Sequence, residues 1–150
     1  MKRELTVSVR RVRGGNWPLP AYKSAGASGM DLCAAIDEPI LLAPTGRIVV
    51  PTGIAVAIPS GYEGQVRARS GLALRHGIGL VNAPGTIDSD YRGEIGVLLI
   101  NFSNDVFTIE PGDRIAQLVI CPVVSVRLEL VTDLDVTERN DGGYGSTGVS

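Results

Sequence analysis

Five short segments gather the polar and glycine residues able to do chemistry: SGMDL at 28–32, ARSGLA at 68–73, NAPGTIDSDYRGE at 82–94, GDRIAQL at 112–118 and RNDGGYGSTG at 139–148. Arg69, Ser70 and Gly71 combine a guanidinium, a hydroxyl and open backbone, a set suited to a phosphate chain. A short helix opening there, capped by Ser70, accounts for the same residues, and both readings can hold at once. An aspartate is ordinarily ionised at neutral pH, so a residue such as Asp88 suits taking a proton from water. The plain alternative for 82–94 is a turn with solvated carboxylates, and turn stabilisation suffices for Asp90. Asp31 is open to an Asx-turn before a strand. Gln117 is a lone polar residue in an otherwise apolar strand pattern. The Gly, Ser and Thr residues of 139–148 could wrap phosphate oxygens, but the run lacks the GK[ST] ending of a Walker loop, and a flexible tail explains it equally well.

Other chemistries are excluded or disfavoured. His76 is the single histidine, so a multi-histidine metal site is impossible, and a structural or solvent-exposed role is the ordinary one for it. No G-x-S-x-G elbow is present. Cys33 and Cys121 lack CxxC spacing and read as small buried hydrophobes rather than a zinc or disulfide framework.

These segments need a scaffold. The chain has 150 residues, 44% hydrophobic and 20% charged, with net charge −2, enough to bury one core and too balanced for an indiscriminate nucleic-acid or membrane-surface binder. Twelve of the 14 cations are arginine, which adds a little weight to anion recognition, although a solvated surface explains it as well. There is no apolar leader and no run long enough to span a bilayer, so a cytoplasmic or other reducing location is expected. Nineteen glycines and nine prolines punctuate short Val- and Ile-rich runs at 5–12, 47–50, 53–58, 63–68, 78–82, 94–102, 106–109, 114–123 and 124–130. The pattern predicts an all-β chain with one short helix over 70–75 stopped by Gly77, arranged as an antiparallel sandwich, barrel or jelly roll. For 82–94 it predicts a hairpin cornered at Pro84 and Gly85. The Gly-rich end reads as a mobile arm.

In order and content the five segments resemble the motifs of the trimeric deoxyuridine triphosphatase (dUTPase) family, from Ser28 nearly to the C-terminus. The resemblance implies a distorted jelly-roll-like β domain over 1–138 and an arm over 139–150 that completes a neighbouring subunit's active site. It implies that Asn82 and main-chain groups at Gly85 and Ile87 read uracil, that Tyr91 packs against deoxyribose and excludes a 2′-hydroxyl, and that Asp88 is the general base. Arg69, Ser70, Gly71 and Gln117 fall on the phosphates. Arg139 neutralises phosphate charge, Tyr144 stacks on uracil, and Gly145, Ser146 and Thr147 close on the terminal phosphate. Asp31 orients water around Mg²⁺, with no direct protein ligand to the metal. Asn140 stands where the family has glycine and Tyr144 where it has phenylalanine. Ser28 and Ala68 are smaller departures.

The reaction so implied is hydrolysis of dUTP to dUMP and pyrophosphate by a homotrimer with shared sites, with Mg²⁺ as cofactor and no nucleic-acid or membrane partner. It would limit uracil incorporation into DNA and supply dUMP for thymidylate. A dCTP deaminase shares the fold but calls for a catalytic glutamate and a different base pocket. A non-catalytic β-sandwich or structural jelly roll explains the strands and leaves the five segments without a purpose.

Overall fold

The computed structural model describes residues 5–143. It contains eleven strands and one helix: β1 (Ser8–Arg11), β2 (Met30–Cys33), β3 (Ile40–Leu42), β4 (Arg47–Pro51), β5 (Ile54–Ala57), β6 (Tyr62–Arg67), α1 (Ser70–His76), β7 (Ile78–Leu80), β8 (Gly85–Ile87), β9 (Gly96–Asn101), β10 (Phe107–Ile109) and β11 (Arg114–Pro122). All pairings are antiparallel. The strands form a four-stranded sheet in the order β2-β11-β6-β8, a three-stranded sheet β4-β9-β7, and the pairs β1-β5 and β10-β3. Mostly β with antiparallel sheets and one helix, the architecture is the jelly-roll-like one expected.

Alternation builds the core. Along β9, Val97, Leu99 and Asn101 are buried while Gly96 is exposed, the period-2 pattern of a strand with one face inward. Leu32, Val50, Ile54, Val66, Ile95, Ile109, Ile115 and Leu118 from the other elements complete the cluster. Burying one such side chain contributes about 1.5–3 kcal/mol. Two polar residues are buried among them and both are satisfied. Asn101 donates Nδ2 to the carbonyls of Leu42 and Asp105 and accepts from Ser103 at Oδ1, and Thr52 donates Oγ1 to the Ile95 carbonyl.

Where the structure departs from expectation, strand pairing is the reason. The 124–130 run is not a strand: the last strand ends at Pro122, and Val124, Val126, Leu128 and Leu130 are all exposed. Its natural neighbour, β11, is flanked on both edges by β2 and β6, so no edge is left there. Nor does the 82–94 segment form a two-stranded hairpin. β7 pairs with β9 and β8 with β6, because β9 is occupied on both sides, and residues 81–84 cross from one sheet to the other. The sequence also conceals β2, β3 and β8, which are too short to alternate visibly. The helix begins at Ser70 as expected, but the residue at its N-cap is Arg69, in extended conformation and without a side-chain cap bond. Ser70 therefore does not cap it. The helix ends at Gly77, whose N–H closes onto the Ala73 and Leu72 carbonyls.

Candidate active site

Three of the five segments meet on the four-stranded sheet. Gln117 of β11 stands opposite Asp31 of β2 on one side and Arg67 of β6 on the other. An irregularity in β11 between Arg114 and Ala116 sets this register, and a bulge of this kind re-aims side chains beside it. Asp31 is held between two guanidiniums, Oδ1 at 3.3 Å from Arg69 Nε and Oδ2 at 3.3 Å from Arg114 Nη1. Arg69 also donates Nη1 to the Arg114 carbonyl at 2.9 Å. Gln117 donates Nε2 to the Ala68 carbonyl at 3.1 Å, which ties it to the chain just before Arg69. Ser70 and Gly71 open the helix, where backbone N–H groups lack intrahelical partners. Two cations around one carboxylate leave net positive charge beside those donors, a setting for a phosphate chain.

The 82–94 segment lies elsewhere on the same sheet. β8 is its edge strand, paired only with β6, so its outer side presents backbone N–H and C=O groups to a partner. The Asn82 amide folds over Gly85: a Cβ there would lie 3.0 Å from Nδ2. Asn82, Gly85 and Ile87 are thus together. Asp88 follows at the end of β8, exposed, and lines a cleft of about 460 Å³ with Ser60, Tyr62, Glu63, Asp90 and Val123. The turn after it is stapled by Arg92, which donates Nη1 to the Ser89 and Tyr91 carbonyls at 2.7 and 2.9 Å, and by the Tyr91 N–H to the Asp88 carbonyl at 3.1 Å.

The two groups of residues are well separated. Ile87 pairs with Gly64 and Gln117 with Arg67, so Asp88 and Gln117 differ by two strand spacings across the sheet and about four residues along it, roughly 16 Å with strands about 4.8 Å apart and a rise of about 3.3 Å per residue.

Arg139 turns back on its own loop, donating Nε to the Gly142 carbonyl at 2.9 Å. Asn140 takes φ 48°, the left-handed conformation that asparagine tolerates. Tyr144, Gly145, Ser146 and Thr147 lie outside the described residues. Among the described residues no three His, Cys, Asp or Glu side chains converge on a possible metal position, and no helix is long and apolar enough to cross a membrane. Cys33 and Cys121 are unpaired. Burial, helped by the Asp31 charge and opposed by Lys23, Arg114 and Arg69, pushes the Cys33 thiol up, so it stays protonated and inert.

Sequence reasoning missed Arg114, Arg92 and Glu94 as contributors. Arg114 and Glu94 act through partners far away in sequence, and no local spacing announces them.

The chain is thus an antiparallel, jelly-roll-like β protein with two guanidiniums gathered on Asp31 and, separately, an exposed carboxylate at Asp88 beside the free edge of β8. A model of the dUTPase family matches residues 15–148, and the chain belongs to that family. It is 61% identical over 146 residues to the deoxyuridine 5′-triphosphate nucleotidohydrolase of Anaeromyxobacter sp. (strain Fw109-5), covering 96% of this chain and 98% of that protein. The Staphylococcus bacteriophage 80alpha dUTPase with dUPNHPP superposes with a TM-score of 0.87 at 30% identity, covering 96% of this chain and 99% of that one. A mutant dUTPase from phage phi11 of S. aureus, described as coordinating a structural Mg(II) ion, gives a TM-score of 0.75 at 27% identity over 85% of this chain and 97% of that one.

Proposed function

We propose that this chain performs its family's reaction, hydrolysis of dUTP to dUMP and pyrophosphate, at a site assembled from more than one subunit. The activity is that of a dUTP diphosphatase, which limits uracil incorporation into DNA and supplies dUMP for thymidylate synthesis. Asp88 accepts a proton from a water whose oxygen attacks the α-phosphorus in line. The bond from that phosphorus to the bridging oxygen breaks, and pyrophosphate leaves. Arg69, Ser70, Gly71 and Gln117 hold the phosphates, and their charges offset the negative charge that grows in the transition state. Asn82 and the free edge of β8 at Gly85 and Ile87 read the uracil edge, and Tyr91 lies against the deoxyribose. Arg139, Tyr144, Gly145, Ser146 and Thr147 close over the nucleotide from another subunit.

Mg²⁺ is the cofactor and, when bound, neutralises charge on the triphosphate. A lone carboxylate already paired with Arg69 and Arg114 fits an outer-sphere part for Asp31, which would accept hydrogen bonds from water around the ion. A cytoplasmic location is in keeping with the two unpaired cysteines.

The separation of Asp88 from Gln117 carries the reading. A general base must come within hydrogen-bond reach of the attacking water, and roughly 16 Å along the sheet places this chain's own Asp88 out of reach of phosphates held near its own Arg69. In this reading another copy brings the missing group, and a homotrimer with three shared sites supplies it for every copy. The exposed apolar run from Val124 to Val136 supplies surface for such assembly.

Mixing inactive variants tests it. Asp88→Asn alone should lose about 10²- to 10⁴-fold in turnover while still binding nucleotide, and Arg69→Ala should be inactive by a comparable margin. Subunits of the two exchanged in equal amounts should recover up to roughly a quarter of wild-type activity, because one neighbouring pair in four joins both intact residues. Mixtures that remain as inactive as their parents would overturn the shared site.

A further inference from the structure

Tyr91 is half exposed, yet its ring is fixed. It lies over the backbone of Gly93 so closely that a Cβ there would stand 2.5 Å from the ring Cζ, and its hydroxyl donates to the Glu94 carbonyl at 2.9 Å. That carbonyl holds the ring only as firmly as residue 94 is itself held. The Glu94 carboxylate accepts from Arg13 Nε at 2.6 Å and from the Gly53 N–H at 2.8 Å. The next residue is bonded on both sides to the β4–β5 turn: the Ile95 N–H donates to Ile54, and its carbonyl accepts from Thr52 through both N–H and Oγ1. On the far side, the Val12 N–H donates to the Gly53 carbonyl, tying the chain just before Arg13 to the same turn.

We propose that the Arg13–Glu94 pair is a positioning clamp for Tyr91 and so sets how strongly the enzyme prefers a deoxyribonucleotide to a ribonucleotide. The proposal rests on the reading that Tyr91 packs against the sugar. Rejection of one hydroxyl by a ring face depends on where that face stands, and an ångström of misplacement can cost about 10²-fold in a reacting geometry. A tyrosine on an exposed turn would otherwise sample several rotamers. Here the segment following β1, remote in sequence, removes that freedom through one carboxylate. Glu94 and Arg13 touch neither base nor phosphate in this arrangement and act only through Tyr91.

The test is the ratio of kcat/KM for dUTP to that for UTP, measured with Mg²⁺ for wild type, Tyr91→Ala, Tyr91→Phe, Glu94→Ala and the Tyr91→Phe/Glu94→Ala double variant. The clamp predicts that Glu94→Ala lowers the ratio by about 3- to 10-fold. Tyr91→Phe should do the same, and the double variant should fall no further than either single, as expected for two changes that break one link. Loss of stability alone would lower both substrates together and leave the ratio unmoved. If Glu94→Ala does not fold, Arg13→Ala, altering an exposed side chain, should lower the ratio in the same direction and Arg13→Lys should restore part of it. A ratio unchanged in Glu94→Ala or Arg13→Ala while Tyr91→Ala collapses it overturns the clamp and leaves Tyr91 as the sugar gate. A ratio unchanged in Tyr91→Ala overturns the sugar gate, and the clamp with it.

Discussion

Gln117 and Asp31 face each other directly across the β2–β11 pair, which places the amide proposed to reach for phosphate and the carboxylate proposed to orient the metal's water on neighbouring strands of one sheet. Side chains opposite each other in an antiparallel pair share a face. The two groups therefore have fixed relative positions before any nucleotide arrives. The amide is held further by the Ala68 carbonyl, and Gly29 leaves it room: a Cβ at that position would collide with Gln117 Oε1. Gly29→Ala should displace the amide and leave the core untouched. The expected outcome is a fall of about 5- to 10-fold in kcat for dUTP, the scale of one ordinary hydrogen bond of about 1 kcal/mol, with an unchanged melting temperature. Steady-state kinetics and a thermal melt on the same preparation check it, and full activity would show that Gln117 makes no contact that matters.

Asp31→Asn separates the structural from the functional part of that carboxylate. Both ion pairs of Asp31 are 3.3 Å long and Arg114 is half exposed, so their loss should cost at most about 1 kcal/mol of stability. The functional loss should be larger and specific. An amide is a poorer acceptor for metal-bound water, so the Mg²⁺ concentration for half-maximal rate should rise about tenfold, with little change in KM for dUTP at saturating Mg²⁺. Titration of Mg²⁺ against rate at fixed dUTP measures this directly. An unchanged Mg²⁺ requirement would remove Asp31 from the metal's surroundings.

Much of this was legible from the chain alone, and the exceptions share one cause. The strands at 47–50, 53–58, 63–68 and 114–123 were readable because Val and Ile alternate or run continuously through them, and the residues of α1 because Gly77 stops it. Arg69 could be named by residue type, and Asp31 and Gln117 through the resemblance of their segments to the family's motifs, but their meeting depends on which strands pair, a long-range fact that local pattern does not contain. The same ignorance produced the hairpin expected at 82–94 and the strand expected at 124–130. The alternation Val124, Val126, Leu128, Leu130 is real, and Leu130 is fully exposed at 100%. What is absent is a free edge on β11, the strand that precedes it, because β2 and β6 occupy both sides. Arg114 and Glu94 escaped notice because each works on a partner that only the fold brings near.

Glu94 gives the enzyme a specific sensitivity to acid. Burial pushes its carboxyl up, but the hydrogen bonds from Arg13 and the Gly53 N–H, with the Arg13 charge, outweigh burial and hold it below the ordinary glutamate range. A carboxylate lowered in the folded state contributes stability above its unfolded value, near ~4.3, and loses it as pH falls through the folded value. The stability difference between wild type and Glu94→Gln should therefore be full from pH 6 to 8 and shrink below about pH 4. Urea midpoints for both proteins across that range measure it. A difference constant down to pH 3 would mean that Glu94 is not held as an ion.

Removing residues 139–150 should leave a folded enzyme that barely turns over. The last strand ends at Pro122, and the Val123 N–H bond to Gly61 follows immediately. Beyond that point the described residues are almost all exposed, and Arg139 bonds to Gly142 in its own loop, so among the described residues truncation removes no core contact. The melting temperature should stay within about 2 °C, less than the shift expected from losing 1 kcal/mol in a domain of this size. Turnover is another matter, because the segment carries Arg139, Tyr144, Ser146 and Thr147, the groups assigned to close over the triphosphate. Losing groups that hold a reacting geometry should lower kcat/KM for dUTP by about 10²-fold or more. Adding the same deletion to the mixing experiment locates the effect. If the arm serves a neighbour, truncated chains that also carry Asp88→Asn should still lend their Arg69 to sites that take Asp88 and an intact arm from full-length Arg69→Ala chains. Recovery of activity in that mixture places the arm in trans, whereas none, alongside recovery with untruncated chains, places it over its own chain's phosphate site.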